Sequence, residues 1–248
     1  MLLEVKDLNI SLTSEKSVAE HISFRLGQGE MLSIVGSSGA GKTTICKAIM
    51  GLLGNTYRAD GEILFQGEDL LDLPERKRQT IYGKEICLIM QNPMTAFNPS
   101  IRVGRQMEKT YLLHHGKTPR QEMQRLFAAI LQKLGLEDTQ RILNSYPFTL
   151  SGGMLQRLMI AAALMCQPAL LVADEATTAI DACNRIGLMR ELKSFCKDGM
   201  SVLFVTHDLR SASVSDRILV MDRGQIVEQG KTEQILNTPK EDYTKYLL

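Results

Sequence analysis

Apolar and polar positions along the chain fall into two rhythms. Leu3-Glu4-Val5-Lys6 and Ile22-Ser23-Phe24-Arg25 alternate with the two-residue period of a half-buried strand, which predicts strands over 2–10 and 21–26. Met31–Val35, Glu85–Met90, Leu170–Glu175 and Ser201–Thr206 are instead short continuous apolar runs, the pattern of strands covered on both faces. Gly61–Gly67 predicts one more strand and turn. Ile218–Met221 and Gln225–Glu228 predict a hairpin across Asp222-Arg223-Gly224. A three-to-four spacing runs between these segments. Thr44–Met50 places Ile45, Ala48 and Ile49 on one helical face. After Thr118-Pro119, read as an N-cap followed by a first-turn proline, Met123, Leu126, Phe127, Ile130, Leu131 and Leu134 mark an amphipathic helix that Gly135 closes. Further helices are predicted from Ser151 to before Pro168 and over Asn184–Cys196.

Together these elements give an α/β fold: a P-loop NTPase core with a mainly parallel sheet, N-terminal antiparallel strands and an inserted α-helical subdomain. The core is assigned to residues 1–93 and 161–248 and the insertion to 94–160, within one domain of 248 residues.

Composition narrows the classes. A net charge of +1 supplies no large basic field, so nucleic acid is not an expected partner. Arg76-Lys77-Arg78 reads as a solvated helix face. Cys46, Cys87, Cys166, Cys183 and Cys196 are scattered without a C-x-x-C pair, which favours free thiols over disulfides or a zinc site. The adjacent His114-His115 lack ligand spacing and read as surface histidines. No signal peptide is recognised at Met1–Lys6, and no apolar run approaches the ~18 residues of a membrane span, so a membrane role requires a partner.

Chemistry concentrates in three stretches. Gly36-Ser37-Ser38-Gly39-Ala40-Gly41-Lys42-Thr43 fits G-x-x-x-x-G-K-[ST] and stands between a predicted strand and a predicted helix that begins at Thr44. Glycines admit a phosphate chain close to the backbone, and the helix N-terminus presents amide donors. Lys42 is placed to reach the β- and γ-phosphates, and the Thr43 hydroxyl to ligate Mg²⁺. Asp174 and Glu175 end a buried strand at the edge where parallel sheets bind ligands. The first can hold Mg²⁺ and the second can take a proton from the attacking water. Ser151-Gly152-Gly153, a capping serine with two glycines at a helix start, is a second anion site with no evident use inside one chain.

The order of these stretches carries a resemblance. The phosphate loop, Gln91 at a strand end, Leu150-Ser151-Gly152-Gly153, Asp174-Glu175, Thr178-Ala179-Ile180-Asp181 and His207 resemble the Walker A, Q-loop, signature, Walker B, D-loop and H-loop motifs of ABC-transporter ATPase subunits, over residues 2–240. The resemblance implies ATP and Mg²⁺ as cofactors. It implies a head-to-tail dimer with a second homologous ATPase, in which each nucleotide lies between one subunit's phosphate loop and the other's signature. Gln91 then contacts Mg²⁺ and the attacking water, His207 the γ-phosphate, and Asp181 the dimer contact. Two transmembrane permeases and an external binding protein complete such importers, and the chain would sit peripherally on the cytoplasmic face of a bacterial membrane.

Within the family, Gln91–Pro99 and Tyr146–Arg157 resemble the peptide/nickel importer branch, and the second stretch, with Met154 in the signature, looks closest to its nickel-import members. Peptide-importer relatives continue past the Pro239–Leu248 region. Phe97, between two prolines, is expected to be exposed and to couple ATP use to a permease. Three departures stand out: Met154 for the usual glutamine, Ala176 for the usual proline, and Leu12 where the family has an aromatic that stacks on adenine. A peptide importer remains the near alternative. A soluble ABC ATPase of the assembly-scaffold or DNA-repair type is the alternative of another class, although residues 94–150 lack the long heptad coiled coil of the repair type.

Overall fold

The computed structural model describes residues 1–176 and 182–248. The chain opens with β1 (Leu3–Leu12), β2 (Ser17–Leu26) and β3 (Met31–Val35), followed by α1 (Lys42–Ile49), β4 (Tyr57–Phe65), β5 (Glu68–Asp69), α2 (Glu75–Ile81) and β6 (Ile86–Ile89). A helical stretch follows: α3 (Pro93–Ala96), α4 (Val103–His115), α5 (Arg120–Lys133), α6 (Thr139–Asn144) and α7 (Gly152–Leu164). The chain returns through β7 (Leu170–Asp174), α8 (Ala182–Cys196), β8 (Ser201–Thr206), α9 (Leu209–Ala212), β9 (Arg217–Asp222), β10 (Gln225–Lys231), α10 (Thr232–Asn237) and α11 (Asp242–Leu247).

Two sheets form. One is antiparallel, in the order β2-β1-β4-β5; the other runs β10-β9-β3-β8-β7-β6, parallel except for the edge strand β10. The continuous apolar runs are explained by which core each residue enters. Leu171, Ala173, Val202, Phe204, Cys87 and Ile89 face one cluster with Leu155, Leu158, Leu188 and Met189 of the covering helices. Their neighbours Leu170, Val172, Leu203, Val205 and Ile86 face the opposite cluster, with Ile45, Ile49 and the antiparallel strands. A strand between two cores has no polar face, so alternation vanishes from its sequence.

Several boundaries differ from the sequence reading. β1 and β2 extend to Leu12 and back to Ser17, because the polar stretch Ser11–Lys16 forms the hairpin itself, with Leu12 N–H donating to Lys16 O at 2.8 Å. Pro119, not Thr118, is the N-cap of α5, and no side chain caps that helix. Gly135 stands just past the end of α5 at φ 69°, as a helix-terminating glycine requires. Arg223 and Gly224 both take positive φ, 45° and 86°, giving the two-residue turn whose twist suits a hairpin. Phe97 is a correction: it is buried, 8% exposed, in the core shared with Val103 and Leu155, since the turn after α3 folds the ring inward. The exposed large apolar residues nearby are Met90 at 47%, Met94 at 58% and Ile101 at 41%.

Cys46, Cys87, Cys166 and Cys196 are buried free thiols. His115 Nε2 lies 3.1 Å from Met165 O with its ring stacked on Tyr111. Among the described residues no group of three His, Cys, Asp or Glu forms a metal cluster, and no helix is long and apolar enough to cross a membrane.

Candidate nucleotide site

In-register pairing of β3, β8, β7 and β6 brings their carboxyl ends to one edge: Val35 lies opposite Thr206, Val205 opposite Asp174, and Ala173 opposite Ile89. Gly36, Glu175 and His207 are the first residues beyond β3, β7 and β8, and Gln91 is the second beyond β6, so four distant stretches converge.

The loop from Gly36 to Gly41 is shaped by close approach. A Cβ on Gly36 would sit 2.2 Å from Met221 O, and one on Gly41, at φ 94°, would sit 2.7 Å from Val18 O. Gly41 is the N-cap of α1, so Lys42, Thr43 and Thr44 fill its first turn and their amides lack helical partners. Lys42 is 5% exposed and its Nζ donates to Gly36 O and Ser37 O, both at 2.8 Å. Burial lowers its pKa, against the raising influence of Glu175 and Asp174. The loop therefore folds around its own lysine, and phosphate oxygens would have to replace those carbonyls. The Ser37 N–H donates to Tyr243 Oη at 3.1 Å.

Thr43 Oγ1 donates to Asp174 Oδ1 at 3.1 Å. Burial raises the Asp174 pKa, opposed by that hydrogen bond; Glu175 reinforces the rise, while Lys42 and Lys47 oppose it. A carboxylate short of compensating charge beside a hydroxyl is an oxygen donor set that fits a hard cation such as Mg²⁺. Glu175 is gripped from two sides: Gln91 Nε2 donates to its Oε2 at 2.9 Å, and His207 Nδ1 lies 3.2 Å from its Oε1. Its backbone sits at φ 48°, a left-handed conformation that is costly for a residue with a Cβ, and its N–H donates to Val205 O at 2.9 Å.

The structure thus brings together Lys42, Thr43, Asp174, Glu175, Gln91 and His207. Ser151 stands apart at the start of α7, where its Oγ accepts from Met154 N–H at 3.3 Å and Gly152 and Gly153 form the first turn. Asp181, with Thr178–Ile180, lies outside the described residues. Leu12 pairs across the sheet with Tyr57, an aromatic neighbour absent from the sequence reading. Tyr243 was also missed, because no local pattern signals a contact 206 residues away.

A family model described as ABC transporter matches residues 19–178. The metal-staphylopine import system ATP-binding protein CntD of Staphylococcus aureus is 41% identical over 250 residues, covering 100% of this chain and 92% of its own. The oligopeptide transport ATP-binding protein OppD of Bacillus subtilis is also 41% identical, over 254 residues, covering 100% of this chain and 71% of its own. A solved dimeric ATP-binding cassette, in a post-hydrolysis state bound to ADP and Pi, matches with a TM-score of 0.81 at 27% identity, over 93% of this chain and 99% of that one. A family match over most of the chain, with full-length relatives at this identity, means that the chain belongs to the ABC transporter family, as one of its ATP-binding subunits.

Proposed function

We propose that this chain is the ATP-hydrolysing subunit of a bacterial importer for nickel or a nickel-like metal chelate. The observation that carries the hydrolytic reading is the grip of Gln91 and His207 on Glu175, beside the Thr43–Asp174 pair. Lys42 leaves its loop carbonyls to meet the β- and γ-phosphates. The amides at the start of α1 take the neighbouring phosphate oxygens. Thr43, Asp174 and Gln91 would hold Mg²⁺, which when bound neutralises phosphate charge. Glu175 accepts the proton of the attacking water, Gln91 orients that water, and His207 faces the γ-phosphate. Ser151, Gly152 and Gly153 serve the nucleotide held by a second, homologous ATPase subunit in a head-to-tail pair. Asp181 belongs to that contact. Two permeases and an external binding protein complete the machine, with Met90 and Met94 offered to a permease at the membrane's cytoplasmic face.

The metal-chelate reading rests on the Tyr146–Arg157 stretch and on the resemblance to CntD. One observation favours a second reading: OppD matches at the same 41% identity, so an oligopeptide is the alternative cargo. Uptake in cells lacking the gene separates the two. Loss of nickel or metal-chelate accumulation, restored by the gene and not by its Lys42→Ala form, supports the first reading. Unchanged metal uptake with lost growth on a required dipeptide establishes the second.

A further inference from the structure

The phosphate loop is held from outside by a part of the chain that the hydrolytic chemistry does not use. Ser37 donates its N–H to the Tyr243 hydroxyl at 3.1 Å, while its carbonyl accepts from Lys42 Nζ at 2.8 Å. One residue of the loop is thereby pinned in both directions. Tyr243 belongs to α11, which is itself firmly seated. The Glu228 carboxylate on β10 accepts from Lys240 N–H at 2.9 Å and from Glu241 N–H at 3.2 Å, satisfying donors at the start of that helix. Thr244 is fully buried, and Tyr243 and Leu247 pack against Val35, Leu209, Val220 and Ile235. Val35 is the residue that leads into the loop, so the same small core supports both the hydroxyl and the strand end that it braces.

We infer that Tyr243 is a positioning residue for the phosphate loop, and that the seating of α11 and nucleotide affinity are coupled through its hydroxyl. When Lys42 turns from Gly36 O and Ser37 O toward incoming phosphates, the loop loses two of its internal hydrogen bonds. The Ser37–Tyr243 bond does not involve the lysine and keeps the leading limb in place during that exchange. Coupling of this kind is reciprocal: if a seated α11 strengthens nucleotide binding, bound nucleotide strengthens the seating by the same factor. A partner that engages α11 and draws it off β10 would therefore weaken nucleotide binding without touching a phosphate-binding residue.

This inference rests on the reading of Gly36–Thr44 as the nucleotide loop, and the test separates the two. Nucleotide affinity of the full chain is measured by equilibrium titration with ATP and Mg²⁺, for the wild type and Tyr243→Phe. The ring and its packing remain in the variant, and only the hydroxyl is lost. The expected result is an affinity weaker by about two- to tenfold, the worth of one net hydrogen bond. Turnover at saturating ATP in the assembled transporter should stay unchanged, and the nucleotide-free chain, which also makes this bond, should melt only slightly lower. A role in packing alone would lower the melting temperature and leave the affinity unchanged. A second measurement reads the coupling from the other end: hydrogen exchange of backbone amides in 239–248 should slow when the wild type binds nucleotide, and slow less in Tyr243→Phe. Equal affinities for the two proteins, or exchange in 239–248 indifferent to nucleotide, overturn the coupling while leaving the site intact. A wild type that binds no nucleotide overturns the loop assignment and the coupling with it.

Discussion

At the carboxyl edge of the parallel sheet the candidate side chains already hold one another. Thr43 is on Asp174, Gln91 and His207 are on Glu175, and Lys42 is on its own loop. The helical stretch from α3 to α7 is arranged differently. Among the described residues the Ser151 hydroxyl caps its own helix and no other element. Met94 at 58% and Phe148 at 67% stand exposed, and Phe148 stacks on Tyr146 with ring centroids 5.6 Å apart. In the middle of α7 the fully buried Gln156 leaves both amide atoms without a hydrogen-bond partner among the described residues. The sheet edge is internally satisfied chemistry that waits for a small ligand. The helical stretch instead leaves apolar side chains exposed at its surface, the arrangement expected under the proposed composite site with permeases on one side.

The largest expected effect breaks the sheet-edge half. Glu175→Gln keeps the shape and a hydrogen-bonding amide but removes the base, so turnover in the assembled transporter should fall by about 10²–10⁴-fold while ATP still binds. Near wild-type turnover would remove Glu175 from its role. The next pair separates fold from contact within the helical half. Phe97→Ala deletes a buried ring and should cost about 3 kcal/mol of stability in denaturant unfolding. Met94→Asp changes an exposed position and should leave stability within about 0.5 kcal/mol, yet lower transport-coupled hydrolysis; the reverse ranking would restore Phe97 as the docking residue.

Concentration sharpens the comparison further. If Ser151–Gly153 complete a partner's site, the specific ATPase rate of the isolated chain should be low and should rise with protein concentration or on adding the second ATPase. A high rate independent of both would make the sheet edge sufficient alone. The smallest effect concerns Asp174, whose folded-state pKa lies above the ordinary aspartate value of 3.8. Its ionised form is therefore a cost to the ligand-free fold at neutral pH, and that cost disappears as pH falls through the raised value and below 3.8. Asp174→Asn should accordingly melt slightly higher than wild type without ligand at pH 7, with the gap closing in acid, and should lose Mg²⁺-dependent nucleotide binding. A lower melting temperature at pH 7 would contradict the desolvation account.

The two halves also differed in how far the sequence revealed them. Strands such as Leu170–Asp174 and Ser201–Thr206 announce themselves because both of their faces enter cores, and the residues that follow each strand inherit a common edge. Glu175 and His207 are therefore placed at one edge by the sequence pattern alone. Phe97 could not be placed, since a ring between prolines has the same local sequence whether it turns inward or outward. Thr118 has the chemistry of a cap, but the backbone enters α5 one residue later. Tyr243 is set by the way α11 lies against β10 and β3, information that belongs to the tertiary fold.

The position of β3 also bears on how the protein is made. Its neighbours in the sheet are β8 and β9, with Met31 paired to Val202 and Leu32 to Arg217. During synthesis at about 5–20 residues per second, a fully buried strand, apolar but for Ser33, and the glycine loop behind it emerge on the order of ten seconds before either neighbour exists. The amphipathic helices of 103–164, with contacts close in sequence, have time to collapse in that interval. The nucleotide loop is thus among the first segments translated and among the last to acquire its shape, so truncated or stalled chains ending before β8 expose this strand to chaperones and aggregation.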